Sequence, residues 1–129
     1  MKKKITLLVV NDNKYDHKLL EISAKKSKVT FALDHVYNGK EAVDKIKGNK
    51  GYDAILMNVE MPVMNGLEAT QSIRTLGYTK PILGWSAHFR SFIWPQCQKA
   101  GMDDYVNLWS EDMLANIVLA LIKCKVIDF

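Results

Sequence analysis

The chain has 129 residues, 48% of them hydrophobic and 25% charged, with a formal net charge of +4. That length and balance describe a domain able to bury a core, and exclude a disordered, collagen-like or disulfide-stapled chain. No apolar run is long enough to cross a membrane. The basic-then-apolar start, MKKKITLLVVND, lacks the small-residue cleavage site of a signal peptide, so a first β-strand in a cytoplasmic protein is expected.

The elements alternate along the chain. KITLLVV, Lys4 to Val10, is a continuous apolar run of the kind covered on both faces. Tyr15, Leu19 and Ile22, with Leu20 and Ala24, then fall at helical spacing. VTFALDHV, Val29 to Val36, alternates as a strand does. Asn38, with Glu41 three residues on, opens a second helix carrying Ala42, Val43 and Ile46 on one face. DAILMN is a third strand, and Asn65 with Glu68 repeats the cap before Leu67, Ile73 and Leu76. PILGWSA, Pro81 to Ala87, reads as a fourth strand. FIWPQCQKA reads as a less regular helix that Pro95 should end or kink. DDYVNL supplies a fifth strand. Ser110 is then expected to cap a last helix with Glu111 and Asp112 in its first turn and Lys123 and Lys125 near its end, both suited to the helix dipole.

This βαβαβαβαβα order predicts a parallel sheet with right-handed crossovers and helices on both faces. A working site then lies at the carboxyl ends of the strands, where Asn11–Asp12, Asn58, Ser86–Ala87 and Asn107–Leu108 stand. Cys97 and Cys124 lack metal-ligand or redox spacing and read as reduced structural thiols. The scattered His17, His35 and His88 suggest no metal site. Charge is uneven: residues 1–53 carry twelve lysines against seven acids, and residues 54–129 carry six Lys or Arg against seven. The basic half favours anionic partners, but no Arg-rich run or Lys–aromatic interleaving supports nucleic-acid binding.

LLVVNDN, ILMNVEMPVMNGLEAT, PILGWSAH and AGMDDYVNLW, in that order, resemble the landmarks of the receiver domain of bacterial response regulators, especially receivers attached to hybrid sensor kinases. The resemblance implies an α/β, flavodoxin-like, doubly wound (βα)5 sandwich with a five-stranded parallel sheet of order 2-1-3-4-5, formed by residues 1–129 as a single domain. It also implies phosphoryl transfer from a phosphohistidine to an Asp, assisted by Mg2+. Residue by residue, Asn58 matches the phosphoacceptor. Asn11 and Asp12 match the acidic pair that holds the metal, Leu108 matches the pocket Lys, and Trp109 the Pro that follows it.

These departures matter chemically. The amide of Asn58 is no nucleophile, because its nitrogen lone pair is delocalised and its oxygen carries no full charge. Asp12, with the Glu60 carbonyl and a water-mediated Glu60 carboxylate, should bind Mg2+ weakly or not at all. Three coordinated losses, at Asn11, Asn58 and Leu108, point to a natural pseudo-receiver without enzymatic activity. Ser86 and Tyr105 match the family's switch pair; either the Asn58 amide hydrogen-bonds Ser86 and fixes one conformation, or Ser86 is a leftover strand-end hydroxyl and Tyr105 a half-buried edge aromatic. Trp85 is expected to fill volume left by the altered pocket.

A protein-binding surface is expected on the face of the fourth helix, fifth strand and fifth helix. It would carry Phe89, Phe92, Ile93, Trp94 and Trp109 and serve a signalling partner or self-association. The rival readings are a decoy or docking partner of a histidine kinase or phosphotransfer protein, and a basic module for nucleic acid or another anionic ligand.

Overall fold

The computed structural model describes residues 4–128. Met1 to Lys3 of the basic start therefore lie outside the described residues, as does Phe129. Strand β1 is Lys4–Val10, followed by helix α1 (Lys14–Lys25), β2 (Thr30–Val36), α2 (Gly39–Gly48), β3 (Ala54–Met57), α3 (Gly66–Thr75), β4 (Ile82–Ser86), α4 (Arg90–Ala100), β5 (Asp104–Asn107) and α5 (Met113–Lys123). All neighbouring strands pair in parallel, in the order β2-β1-β3-β4-β5. The predicted flavodoxin-like order is thus observed.

Strand alternation divides the interior into two layers. Leu8 and Val10 of β1, Ile55 and Met57 of β3 and Ile82 of β4 pack with Ala42, Ile46, Ala69, Ile73 and Ile93 of α2 to α4. Ile5, Leu7, Val9, Leu56 and Leu83 face the other way, against Leu20 of α1 and Met113, Ile117 and Leu121 of α5. Both sides of β1 and β3 are covered, which is why their sequences read as unbroken apolar runs. Trp85 belongs to the second layer. It is fully buried, with its indole N–H 3.2 Å from the Met113 sulfur. It faces away from the strand-end pocket and fills no space there, contrary to expectation.

Helices α1 and α5 depart from the sequence reading, and α4 runs on past its proline. On α1 the buried residues are His17 and Leu20, while Tyr15, Leu19 and Ile22 are 73%, 49% and 46% exposed. The helix carries two stripes at nearly equal spacing, and the sheet takes the one with the smaller residues. Pro95 sits inside α4 without ending it. The helical bond it forfeits would run to the Ser91 carbonyl, and both residues are exposed to water. Ser110 does not cap α5. Its hydroxyl donates to the Asn107 carbonyl and accepts from the Asn116 amide, and α5 starts after Asp112 without a side-chain cap.

The α3 start holds the site in place. Asn65 and Glu68 form a reciprocal capping box, and the Gly66 amide donates to the Val59 carbonyl at 2.7 Å. A Cβ on Gly66 would lie 2.0 Å from the Asn58 carbonyl oxygen. Backbone meets backbone there, so nothing flexible can yield. Gly66→Ala is expected to destabilise the domain by roughly 1–3 kcal/mol in urea denaturation. Gly48→Ala, where a Cβ meets nothing within 4 Å, is expected to leave stability unchanged or raise it.

Candidate functional site at the strand ends

Asn11 leaves β1 and Asn58 leaves β3, the two adjacent strands from which the chain winds in opposite directions. The Asn58 side-chain nitrogen lies 3.2 Å from Asn11 Oδ1, 3.3 Å from Asp12 Oδ1 and 3.2 Å from the Glu60 carbonyl. Two amide hydrogens are shared among three oxygens. Asn11 is completely buried, and its side chain uses both of its chemical faces. Oδ1 accepts from the Asn13 amide and from Asn58, while Nδ2 donates to Asp16 Oδ2 at 3.1 Å. A carboxylate could not make that last bond.

Ser86 does not join Asn58. Its hydroxyl pairs with Tyr105 Oη at 2.8 Å, and the Tyr105 hydroxyl donates on to the His88 carbonyl. Tyr105 is turned inward and 6% exposed, which Gly84 permits: a Cβ there would sit 2.9 Å from the Tyr105 ring. Burial pushes the phenol's pKa above its ordinary value. His88 also pairs with Glu60 at 2.8 Å, linking the loop after β4 to the loop after β3. In that second loop Val63 is 81% exposed with a φ of 72°, a left-handed conformation that costs a β-branched residue about 1–2 kcal/mol. Leu108 turns into the α1/α5 layer, and its amide donates to the Ser86 carbonyl at 2.7 Å.

The histidines are less scattered than the sequence suggests. His17 Nε2 lies 2.7 Å from the Asn11 carbonyl, so that nitrogen carries the proton. Its Nδ1 then accepts from His35 Nδ1, and His35 Nε2 meets Glu21 Oε1 at 2.7 Å. A chain of polar contacts thus runs from Glu21 through both imidazoles to the backbone of Asn11. Burial lowers the His17 pKa and raises that of Asp16. The available signal was His17, Leu20 and Ala24 at helical spacing, with His35 near the end of β2.

The expected aromatic surface is only partly present. Phe89, Phe92 and Trp109 are 79%, 64% and 79% exposed. Ile93 is 4% exposed and belongs to the core, so it drops out of the surface. Trp94 is half-buried against the same core, with the Arg90 guanidinium 4.8 Å from its ring centroid.

A five-stranded α/β sandwich with a polar cluster at the β1–β3 switch point defines a receiver-like class of protein. The sequence profile of the response regulator receiver domain matches residues 7–114, and the chain belongs to that family. It is 35% identical over 105 residues to Two-component response regulator 24 of Arabidopsis thaliana, covering 79% of this chain and 72% of that one. It is 37% identical over 130 residues to Response regulator sskA of Aspergillus fumigatus, covering 95% of this chain but 14% of that much longer protein. Among solved structures, the receiver domain of the histidine kinase CKI1 from Arabidopsis thaliana, complexed with Mg2+, superposes with a TM-score of 0.77 at 28% identity, over 91% of each chain. The receiver domain of the sensor histidine kinase PA1611 from Pseudomonas aeruginosa gives 0.79 at 26% identity, over 95% of this chain and 99% of that one.

The side chains here do not fit the family's Mg2+. Among the described residues, Asp12 is the one carboxylate that touches Asn58, and Asn58 turns hydrogens toward the oxygens a cation would need. The Glu60 carboxylate is engaged by His88. Among the described residues, no group of three or more His, Cys, Asp or Glu is placed to hold a metal ion. No helix among them is long and apolar enough to cross a membrane.

The His17 shift gives the domain a signed pH dependence. Its folded pKa lies below the reference 6.5, so the unfolded chain binds more protons in the interval between the two. His17's contribution is complete above that reference and shrinks as pH falls through the folded value. Melting temperature is expected to drop between about pH 7.5 and about pH 5.5, and His17→Gln is expected to flatten that slope.

Proposed function

We propose that this receiver domain acts in a cytoplasmic two-component or phosphorelay pathway as a pseudo-receiver, with residues 1–129 working as one non-enzymatic module. It communicates by protein–protein contact that needs no phosphorylation. The observation that carries this reading is the Asn58 amide nitrogen lying within 3.3 Å of Asn11, Asp12 and Glu60 oxygens. The phosphoacceptor position holds a hydrogen-bond donor that satisfies the pocket, and an amide cannot form an aspartyl phosphate. Leu108, half-buried against the core, offers no charge to a phosphoryl group.

Incubation with radiolabelled acetyl phosphate and Mg2+ is expected to leave the protein unlabelled, and a Mg2+ titration followed by tryptophan fluorescence is expected to be flat to millimolar metal. Asn58→Asp alone is expected to remain unlabelled. Asn11→Asp, Asn58→Asp and Leu108→Lys combined are expected to gain labelling. Stable covalent phosphate on the wild-type pocket would overturn the proposal.

Signalling by contact needs a surface, and Phe89, Phe92 and Trp109 supply one beside α4 and β5. It suits a signalling protein or a further copy of the chain. A second reading, a decoy that docks a histidine kinase or phosphotransfer protein, is favoured by a different feature. The exposed Tyr15, Leu19 and Ile22 stripe of α1 adjoins an open cleft of about 670 Å³ lined by Asp12, Asn13, Lys14, Tyr15 and Tyr37. In pull-downs, Phe92→Ala with Trp109→Ala is expected to abolish partner capture under the first reading while stability changes by less than about 0.5 kcal/mol. Loss instead on Tyr15→Ala with Leu19→Ala, using a phosphotransfer helix bundle as bait, would select the second.

A further inference from the structure

The helices of this sandwich run back to the amino ends of the strands, and that end of the molecule is lined with lysine. The last turns of α1, α2, α4 and α5 each carry at least one, a placement the helix dipole favours. The dipole does not account for Lys4, Lys28, Lys50, Lys80 and Lys125. These lie at the start of β1, in the connections before β2, β3 and β4, and beyond α5, and all five are exposed. Among the described residues, none of the five forms an ion pair.

Most acids at this end are engaged elsewhere. Asp103 and Asp104 pair with Arg74 and Arg90, and Asp53 accepts from the Thr6 amide, while Asp128 is exposed beyond α5. The opposite end is acidic. Asp12, Glu60, Glu68, Glu111 and Asp112 are exposed there, against Lys14, Lys40 and the already paired Arg90. Charge is therefore polarised along the strands, basic where they begin and acidic where the pocket lies.

Spread, chemistry and apolar surface together identify the anion. Strands about 4.8 Å apart, with a helix layer on each side, make this end roughly 20 Å by 30 Å. Its lysines come from every helix-to-strand connection except the one before β5. A short peptide would meet a few of them, whereas an extended anionic plane meets them together. Lysine is a hydrated point charge suited to a diffuse field rather than to bidentate phosphate recognition. The exposed aromatics Tyr15, Tyr37, Phe89, Phe92 and Trp109 lie toward the other end, so none stands among these lysines to stack on a base. Beside Lys28 opens a groove of about 420 Å³ lined by Val29, Leu114, Val118 and Ile122. Lysine heads next to apolar surface suit a lipid interface, and nucleic acid has nothing to place in such a groove.

We propose that the end of the domain where the strands begin is a docking surface for the anionic leaflet of a phospholipid bilayer. The strands then stand across the membrane plane, and the acidic pocket end around Asn58 faces away from lipid of like charge. Phe92 and Trp109 stay open to a protein partner. The arrangement is independent of whether the pocket takes phosphate.

Co-sedimentation of the full chain with vesicles tests it. The protein is expected to pellet with equimolar phosphatidylcholine and phosphatidylserine but not with phosphatidylcholine alone, and to be released as salt rises from about 0.05 M to about 0.5 M. Lys28→Glu with Lys50→Glu is expected to weaken binding by about thirtyfold or more. Lys18→Glu with Lys40→Glu alters net charge equally at exposed positions away from this end, and is expected to weaken it by less than about threefold. Duplex DNA and polyglutamate, at equal concentrations of negative charge, are expected to bind more weakly than the mixed vesicles. Equal binding to phosphatidylcholine alone, no binding to the mixed vesicles at about 0.1 M salt, equal losses in the two double variants, or binding to DNA or polyglutamate as tight as to the vesicles would overturn the proposal.

Discussion

At the carboxyl end of this sheet, oxygen atoms crowd together and something must face them with positive charge or with hydrogen. The Asn11 side-chain oxygen, the Asp12 carboxylate and the Glu60 carbonyl converge within 3.3 Å of one nitrogen, that of Asn58. A cluster of carboxylates without a cation would repel itself, and an uncompensated buried charge is costly. Amides resolve the conflict because each carries a donor and an acceptor. Asn11 uses that duality in full, donating to Asp16 while accepting from Asn13 and Asn58. The two asparagines are therefore mutually dependent. Changing either one to Asp alone would set an oxygen against an oxygen.

The rest of the pocket is closed by further hydrogen bonds. Ser86 is occupied by Tyr105, and Tyr105 by the His88 carbonyl. His88 in turn reaches Glu60. Ser86 and Tyr105 are thus joined to each other and to the loop above them, while Asn58 is joined to the β1 side. Both sets meet at Glu60, whose carbonyl serves Asn58 and whose carboxylate serves His88. A single loop residue couples the two halves of the site.

How much of this was legible in the sequence depended on whether local pattern or tertiary choice decided the outcome. β1 runs over Lys4–Val10 as its unbroken apolar run demanded, and the Asn65–Glu68 cap formed as its spacing required. Those features are local. The burial of α1 was not, because Tyr15–Leu19–Ile22 and His17–Leu20–Ala24 both satisfy helical spacing and only the sheet decides between them. Ile93 and Trp94 are adjacent residues of equal apolar promise, yet one is core and the other half-covered. At the site, the positions of Asn11, Asp12 and Asn58 were legible because strand ends converge in this topology. The partner of Ser86 was not. It depends on the rotamer of Tyr105, which Gly84 two residues before Ser86 on the same strand leaves room for.

The His17–His35 pair shows what a list of residue types omits. Apart in sequence, each histidine looks like an unremarkable polar residue. Folded, the two rings occupy the space between α1 and β2 and link two acceptors, the Glu21 carboxylate and the Asn11 carbonyl. Because Nε2 of His17 must donate to a carbonyl, its Nδ1 can only accept while the ring is neutral, and that makes His35 Nδ1 the donor between the two rings. Protonating His17 would place two N–H groups nose to nose. The position of Asn11, and through it the hydrogen bond from Asn58, therefore rests on a neutral imidazole that burial already favours.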